Sequence, residues 1–416
     1  MSHIIRLHTY RQICRTHRGP GVAMYRSRRA PATSVSTRAG KPQAFVLLLG
    51  SCTPVMGALL IAPVLPELQR SFAGTPGVEV LAPLVMTVPA LSIALLSPMA
   101  GMVVDRLGRT RLLRWSMLAY AVVGTAPLWL HSLAAILVSR VLLGVIEAAI
   151  ITCCLTLIGD YFIGARRDRY LAWHSMVASS SAIVFMAVGG ILGAFGWRTP
   201  FWGYAIALPL LAAMTVVLRE PRKDLRGADT PVVGVSGLPR RLAPLLTLTF
   251  IGGVLLFFVL QVQLSFLLDD LGIGSAGIGA AAALANLGVT VAAMSFARAA
   301  RHGANHPLIA GFAISGLGLL AMSLGDHWLT ITAGAVVCGV GGGLLMPALL
   351  IGTTSQLAFE LRGRGTAAWI SVYSLSQFFS PVAVAGITAM VGTLDRSLLV
   401  CAMAGWLTAV IARWML

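Results

Sequence analysis

The sequence predicts an all-α membrane protein of twelve transmembrane helices arranged as two six-helix pseudo-repeats. Three observations carry this. Of 416 residues, 57% are hydrophobic and 11% charged, against roughly 25% charged in a soluble domain. Cutting the chain at its charges leaves uncharged runs such as 44–66, 80–104, 242–268 and 271–297, each long enough for the ~20 residues that cross a bilayer as a helix. The longest polar interval inside the chain, "REPRKDLRGADTPVVGVSGLPRR" at 219–241, separates six such runs from six more.

No run alternates like a barrel strand. In hydrocarbon the backbone must satisfy its own polar groups, so these runs are helical. The expected spans are 44–65, 80–103, 112–130, 133–158, 171–194, 200–218, 244–267, 275–297, 306–324, 328–351, 365–391 and 397–415. Only "LHSL" at 130–133 separates the third from the fourth. The expected domains are a basic, disordered tail at 1–43, an N-terminal bundle at 44–218, a linker at 219–243 and a C-terminal bundle at 244–416.

An even count of spans puts both termini on one side, and charge says which. With loops assigned alternately, the side of the termini and linker holds 27 of the 31 Lys and Arg residues. The other side holds Arg70, Arg198 and Arg396, and Arg140 lies within a helix. By the positive-inside rule the rich side is cytoplasmic. The expectation is therefore a multi-pass protein of the cell inner membrane with both termini cytoplasmic. The net charge of +17 is a topology signal with affinity for anionic lipid headgroups, and no nucleic-acid partner is expected.

The first 43 residues carry nine basic and no acidic residues. The apolar run that follows is longer than a cleaved signal's core and reads as a retained first helix; Met24 is an alternative start. Cys14, Cys52, Cys153, Cys154, Cys338 and Cys401 lie in the tail or within spans and suggest neither a disulfide framework nor a metal site. No cofactor is expected.

The halves echo one another. "LIGDYFIGARRDRYLAW" at 157–173 follows the fourth span and "LIGTTSQLAFELRGRGTAAW" at 350–369 the tenth, each with LIG, Arg-x-Arg and Ala-Trp in that order. Internal repeats in membrane proteins point to a transporter with its site between them.

The loop after the second span reads "GMVVDRLGRTRLL" at 101–113. Any short inside loop collects arginines, which accounts for Arg106, Arg109, Arg111 and Arg114 without function. It does not account for Asp105 flanked by Gly101 and Gly108. A small residue lets another helix approach, and a carboxylate gains about 0.3–1 kcal/mol against a helix N-terminus, a contact that one state makes and another breaks.

These residues resemble the major facilitator superfamily, whose loop between helices two and three carries G-x-x-x-D-R-x-G-R; the match is Gly101, Asp105, Arg106, Gly108 and Arg109, with Thr110 where a basic residue is common. The resemblance runs from about 44 to 416. It implies that Asp105 docks on the start of the eleventh helix near Gly365 in the outward-open state, that the arginines pair with Asp160 or Asp168, and that the chain works as a monomer. The motif is then a conformational latch for alternating access.

Two opposite charges lie deep in one span, Arg140 and Glu147 in "SRVLLGVIEAAIITCC". An isolated charge at the bilayer centre costs ~2.5–3.5 kcal/mol or more, so such groups face a cavity and each other. Seven residues make two turns, ~10 Å, which puts Arg140, Gly144 and Glu147 on one stripe whose ends water or substrate bridges. Arg140 and Gly144 match the family's R-x-x-x-G, with Leu143 where a glutamine is frequent; the resemblance links this arginine to proton transfer or substrate. Glu147 is the candidate proton carrier, because a carboxyl group takes up a proton more readily in an apolar setting. The competing reading is a purely structural ion pair.

Further cavity candidates are His174 in the fifth span, Gln261 in the seventh, and Tyr373 with Gln377, which share a face of the eleventh. Gln261 and Gln263 lie about 200° apart on a helix, so one of them faces the cavity. Each candidate has a packing alternative.

No G-x-x-x-x-G-K-[ST] is present, so energy comes from an ion gradient or the substrate itself. No surface cluster of His, Asp, Glu or Cys marks an enzyme. "VGGILGAFGWRTPF" at 188–201 resembles the segment of bacterial efflux proteins in which G-P-x-x-G-G precedes Gly-Trp-Arg, except that Phe185 and Met186 stand where Gly-Pro would be. The expected function is proton-coupled export of a small organic molecule such as a drug, a sugar-like compound or a secreted metabolite like a siderophore, with uptake by proton symport as the alternative.

Overall fold

The computed structural model describes residues 40–220, 239, 242–303, 305–357 and 361–415, with side chains for all of these except 97–106, 302, 362, 363 and 415. Twelve helical spans follow in order, with no strand among the described residues: α1 (Lys41–Ser71), α2 (Val78–Leu107), α3 (Arg109–Thr125), α4 (Leu133–Tyr161), α5 (Ala165–Gly193), α6 (Thr199–Val217), α7 (Ala243–Asp270), α8 (Ser275–Ala299), α9 (His306–Ser323), α10 (Trp328–Ser355), α11 (Arg362–Val391) and α12 (Leu394–Met415). Eleven are long and apolar enough over their described residues to cross a membrane. The twelfth, α3, has 17 residues, ~25 Å of helix, and closes with the 3₁₀ turn Ala126–Leu128.

The α1 span, the α7 span and the α2–α3 junction differ from the sequence expectation. The α1 span is broken into Lys41–Gly50, Thr53–Leu59, the 3₁₀ turn Ala62–Val64 and Leu65–Ser71. Pro54, Pro63 and Pro66 each stand in the first turn of the piece they begin, since proline lacks an N–H and crowds the carbonyl four residues back. Thr53 Oγ1 donates to the Gly50 carbonyl at 2.8 Å, close to the first break. The α7 span contains a π-turn, Gly253–Phe257, and the hydroxyl of Ser380 on α11 donates to its Val254 carbonyl at 2.8 Å. The expected arginine loop is helix: a single residue, Gly108 with φ +85°, turns the chain from α2 into α3, a backbone angle that glycine adopts without strain.

The two halves meet along α5 with α8 and α2 with α11. At the first crossing Gly190 and Gly279 face each other so closely that a Cβ on either would overlap the other's backbone. At the second, Ser371 Oγ donates to the Ala94 carbonyl at 3.3 Å. Ser265 Oγ of α7 donates to the Ala62 carbonyl of α1 at 2.9 Å, and Arg70 beyond it ion-pairs with Asp269. The Gly190–Gly279, Ser265–Ala62 and Arg70–Asp269 contacts lie toward the end that carries the α1–α2 and α7–α8 turns, whereas the Ser371–Ala94 contact lies near the middle of α2. At the opposite end residues 163–169, leading into α5, are exposed.

Candidate functional site

The buried charges of α4 have separate surroundings. Arg140 is wholly enclosed. Its Nη1 donates to Tyr204 Oη at 3.0 Å, and Nη2 donates to the carbonyls of Gly124 at 3.0 Å and Val123 at 3.3 Å. These carbonyls belong to the last turn of α3, where four main-chain acceptors lack intrahelical donors and the helix dipole favours a cation. The early end of α3 and the burial of Arg140 are thus one arrangement. The guanidinium also lies 5.1 Å from the ring centroid of Tyr204 and 5.2 Å from that of Phe201, a cation–π setting.

Glu147 is 2% exposed and its Oε1 has no hydrogen-bond partner among the described residues. The carboxyl lies against the bare main chain of Gly57 on α1: a Cβ there would overlap Glu147 Oε1, and Tyr120 Oη is the next neighbour. Two tyrosines hold this stretch of α1. Tyr120 donates to the Thr53 carbonyl at 2.5 Å and Tyr204 to the Gly57 carbonyl at 2.7 Å. Arg140, Gly144 and Glu147 lie on one continuous helix, as the spacing predicts. No ion pair joins the two charges among the described residues; neutral acceptors of α3 and α6 take the guanidinium, and the carboxyl faces α1. Gly144, between them, is the place where the Pro89 backbone of α2 crosses α4.

At the other end of α4, Arg109 Nη1 ion-pairs with Asp160, one of the two acidic partners expected. The side chains of Asp105 and Arg106 lie outside the described residues, and Gly101 is helical within α2. Sequence reasoning missed Glu220, which follows α6 and caps α3: it accepts from the backbone N–H of Arg109 at 2.7 Å and of Thr110 at 2.9 Å, and from the Thr110 hydroxyl. Partial burial pushes this carboxyl up, and those hydrogen bonds, with a further one from the Arg111 backbone, outweigh it and hold Glu220 below the usual glutamate range.

In the C-terminal half Gln261 and Asn286 exchange side-chain amide hydrogen bonds at 3.3 Å between α7 and α8, and Asn286 Nδ2 also donates to the Ala282 carbonyl at 2.9 Å. Both Gln261 and Gln263 are buried. Tyr373 stacks on Trp369, ring centroids 5.1 Å apart, and meets Phe258 at 5.1 Å and Phe257 at 6.1 Å. The π-turn ends between these two phenylalanines. Gln377 and His174 are each half-buried on their helices, α11 and α5. Where the halves close, a cavity of about 500 Å³ is lined by Glu67, Arg70, Asp269 and Ser275 among others.

A twelve-helix bundle in two halves, with charge buried at its middle, is the architecture of a multi-pass membrane protein. The chain belongs to the Major Facilitator Superfamily, whose family model matches residues 47–268. It is therefore a transporter of small-molecule substrates and not an enzyme. It is 24% identical over 375 residues to the class C tetracycline resistance protein of Escherichia coli, covering 83% of this chain and 90% of that one. It is 26% identical over 225 residues to the quinolone resistance protein NorA of Staphylococcus aureus, covering 54% and 56%. Among solved structures, the D-xylose-proton symporter aligns with a TM-score of 0.76 at 12% identity, covering 89% of this chain and 96% of that one. The inward-facing, occupied form of a bacterial homologue of the human lysosomal transporter Spinster aligns at 0.74 and 14%, covering 90% and 97%.

Proposed function

We propose that this protein exports a small organic molecule across the bacterial inner membrane in exchange for protons, by alternating access. The observation that carries the coupling is Glu147, a carboxyl group buried at mid-membrane with an unpartnered oxygen. Kept charged there it is costly, and protonation relieves that cost. Loading on one side and release on the other follow if the α1–α4 contact is made and broken as the halves tilt. The resistance proteins it resembles support export of a drug-like cargo.

The basic side is the cytoplasmic one, with 1–43 as tail and 219–243 as linker. The opposite loops carry Arg70, Arg198 and Arg396 beside Glu67, Glu79, Asp269, Asp270, Asp326 and Asp395. On this reading the closed end is periplasmic and the state is inward-facing. Asp105 is the latch that docks on α11 when the transporter opens outward. Arg140 holds the coupling region in shape, and the protein acts as a monomer.

The test compares untargeted mass spectra of medium and cell extract from the native host, a deletion strain, and the deletion complemented with wild type or Glu147→Gln. A compound trapped in deletion and mutant cells and restored to the medium by wild type is the cargo. Depletion from the medium by wild type alone makes the protein an importer and overturns the export reading.

A further inference from the structure

A chain of two hydrogen bonds ends on one carbonyl. Arg140 donates to Tyr204 Oη at 3.0 Å, and Tyr204 in turn donates to the carbonyl of Gly57 at 2.7 Å. The direction is fixed, because a guanidinium has no acceptor and the tyrosine proton is left to point at Gly57. The first bond is charge-assisted, and it strengthens the second by polarising the hydroxyl.

The carbonyl so held belongs to Thr53–Leu59, the short middle piece of α1, flanked by turns at Ser51–Cys52 and Leu60–Ile61. A helix of two turns between two breaks has little rigidity of its own. Its position is set from outside, and Gly57 is the residue whose bare main chain faces Glu147 Oε1. Tyr204 itself has little freedom. Its ring lies 5.4 Å from that of Tyr120 and 6.1 Å, stacked, from that of Phe201, and a Cβ on Gly124 would overlap it. The ionisable groups that bear on the Glu147 carboxyl are Arg140 on its own helix, Tyr120 on α3 and, by its link to Gly57, Tyr204 on α6.

We infer that Tyr204 is a positioning residue for proton coupling: its hydroxyl carries the Arg140 contact to Gly57 and so fixes the wall of α1 against which the Glu147 carboxyl lies. The inference rests on Glu147 as proton carrier. It gives Arg140 a defined action on that site through a residue sixty-four positions away in sequence, without contact between the two charges.

The experiment is a pH titration by attenuated-total-reflection infrared spectroscopy of the full chain reconstituted in lipid, following the carboxylic C=O band, for wild type, Glu147→Gln and Tyr204→Phe. The phenylalanine keeps the ring contacts and removes the hydroxyl. The expected result is a band that titrates in wild type, is lost in Glu147→Gln, and in Tyr204→Phe changes frequency with a midpoint displaced by about half a pH unit or more. A band lost in Glu147→Gln but unmoved in Tyr204→Phe overturns the role of Tyr204 and leaves the proton reading standing. Identical titrations in wild type and Glu147→Gln overturn both. Should Tyr204→Phe not survive reconstitution, Arg140→Met withdraws the donor from the other end, and an unmoved band there is equally fatal to the inference.

Discussion

Glu220 and Thr110, far apart in sequence, are bound twice: the Thr110 backbone N–H reaches the carboxylate at 2.9 Å and its hydroxyl reaches the same oxygen. The chain leaving the sixth helix therefore caps the start of the third. Three of the N–H groups that α3 leaves orphaned at its first turn, those of Arg109, Thr110 and Arg111, find acceptors there, and a negative charge sits at the positive end of the helix. Glu220→Gln should lower thermal stability in detergent by about 1–2 °C, corresponding to ~1 kcal/mol or less for an exposed cap. Because the folded carboxyl titrates below its ordinary range, its contribution is present above the unfolded glutamate value and is lost as pH falls through the folded one. The gap between wild type and variant should accordingly be full at neutral pH and close in acid. A gap independent of pH would show that the carboxylate charge is not what stabilises the cap.

The ion pair of Arg109 with Asp160 joins α3 to α4 at the same end, both side chains being largely covered. Asp160→Asn should reduce transport several-fold while expression and insertion hold. The exchange Arg109→Asp with Asp160→Arg should recover part of the loss, with a coupling energy of about 1 kcal/mol in a double-mutant cycle. Additive losses would mean that the pair is incidental.

Gly57 is the contact surface for Glu147. Gly57→Ala puts a methyl where Glu147 Oε1 lies and should cost about 1–3 kcal/mol by overpacking, with transport lost. In a Glu147→Ala background the same substitution should cost far less stability, because the obstructing carboxyl is gone, while transport stays absent. Equal destabilisation in both backgrounds would place the clash elsewhere.

Arg70 and Asp269 link the halves where they close. Arg70 is 62% exposed, so the pair contributes little energy, about 0–1 kcal/mol, but it reports which state is present. With cysteines at both positions, oxidation should arrest transport and reductant should restore it. Continued transport after complete cross-linking would exclude opening at this end.

Much of the fold was legible because hydrocarbon leaves an apolar run only one conformation. Arg140 and Glu147 stood out for the same reason, as charges where charge is costly. Their partners were hidden. Tyr204 reads in sequence as one more aromatic at a membrane boundary, and nothing local ties Glu220 to Thr110. The breaks in α1 were written in Pro54, Pro63 and Pro66, yet a continuous apolar run outweighs prolines that stand in first turns. Asn286 went unread because an amide in an alanine-rich helix carries no periodic signal, and without it the partner of Gln261 was hidden. The register of α3 shifted because its end is determined by Arg140, a residue of the next helix.

The crossing of α5 and α8 places main chain on main chain at Gly190 and Gly279. Where interlocked side chains meet, sliding one helix over another means unseating each from its rotamer; between Gly190 and Gly279 no side chain intervenes. One half can lean across the other at that point as a lever leans on a smooth fulcrum. Any larger residue at either position would act as grit in the bearing, slowing the stroke even where the protein remained folded and its pocket intact.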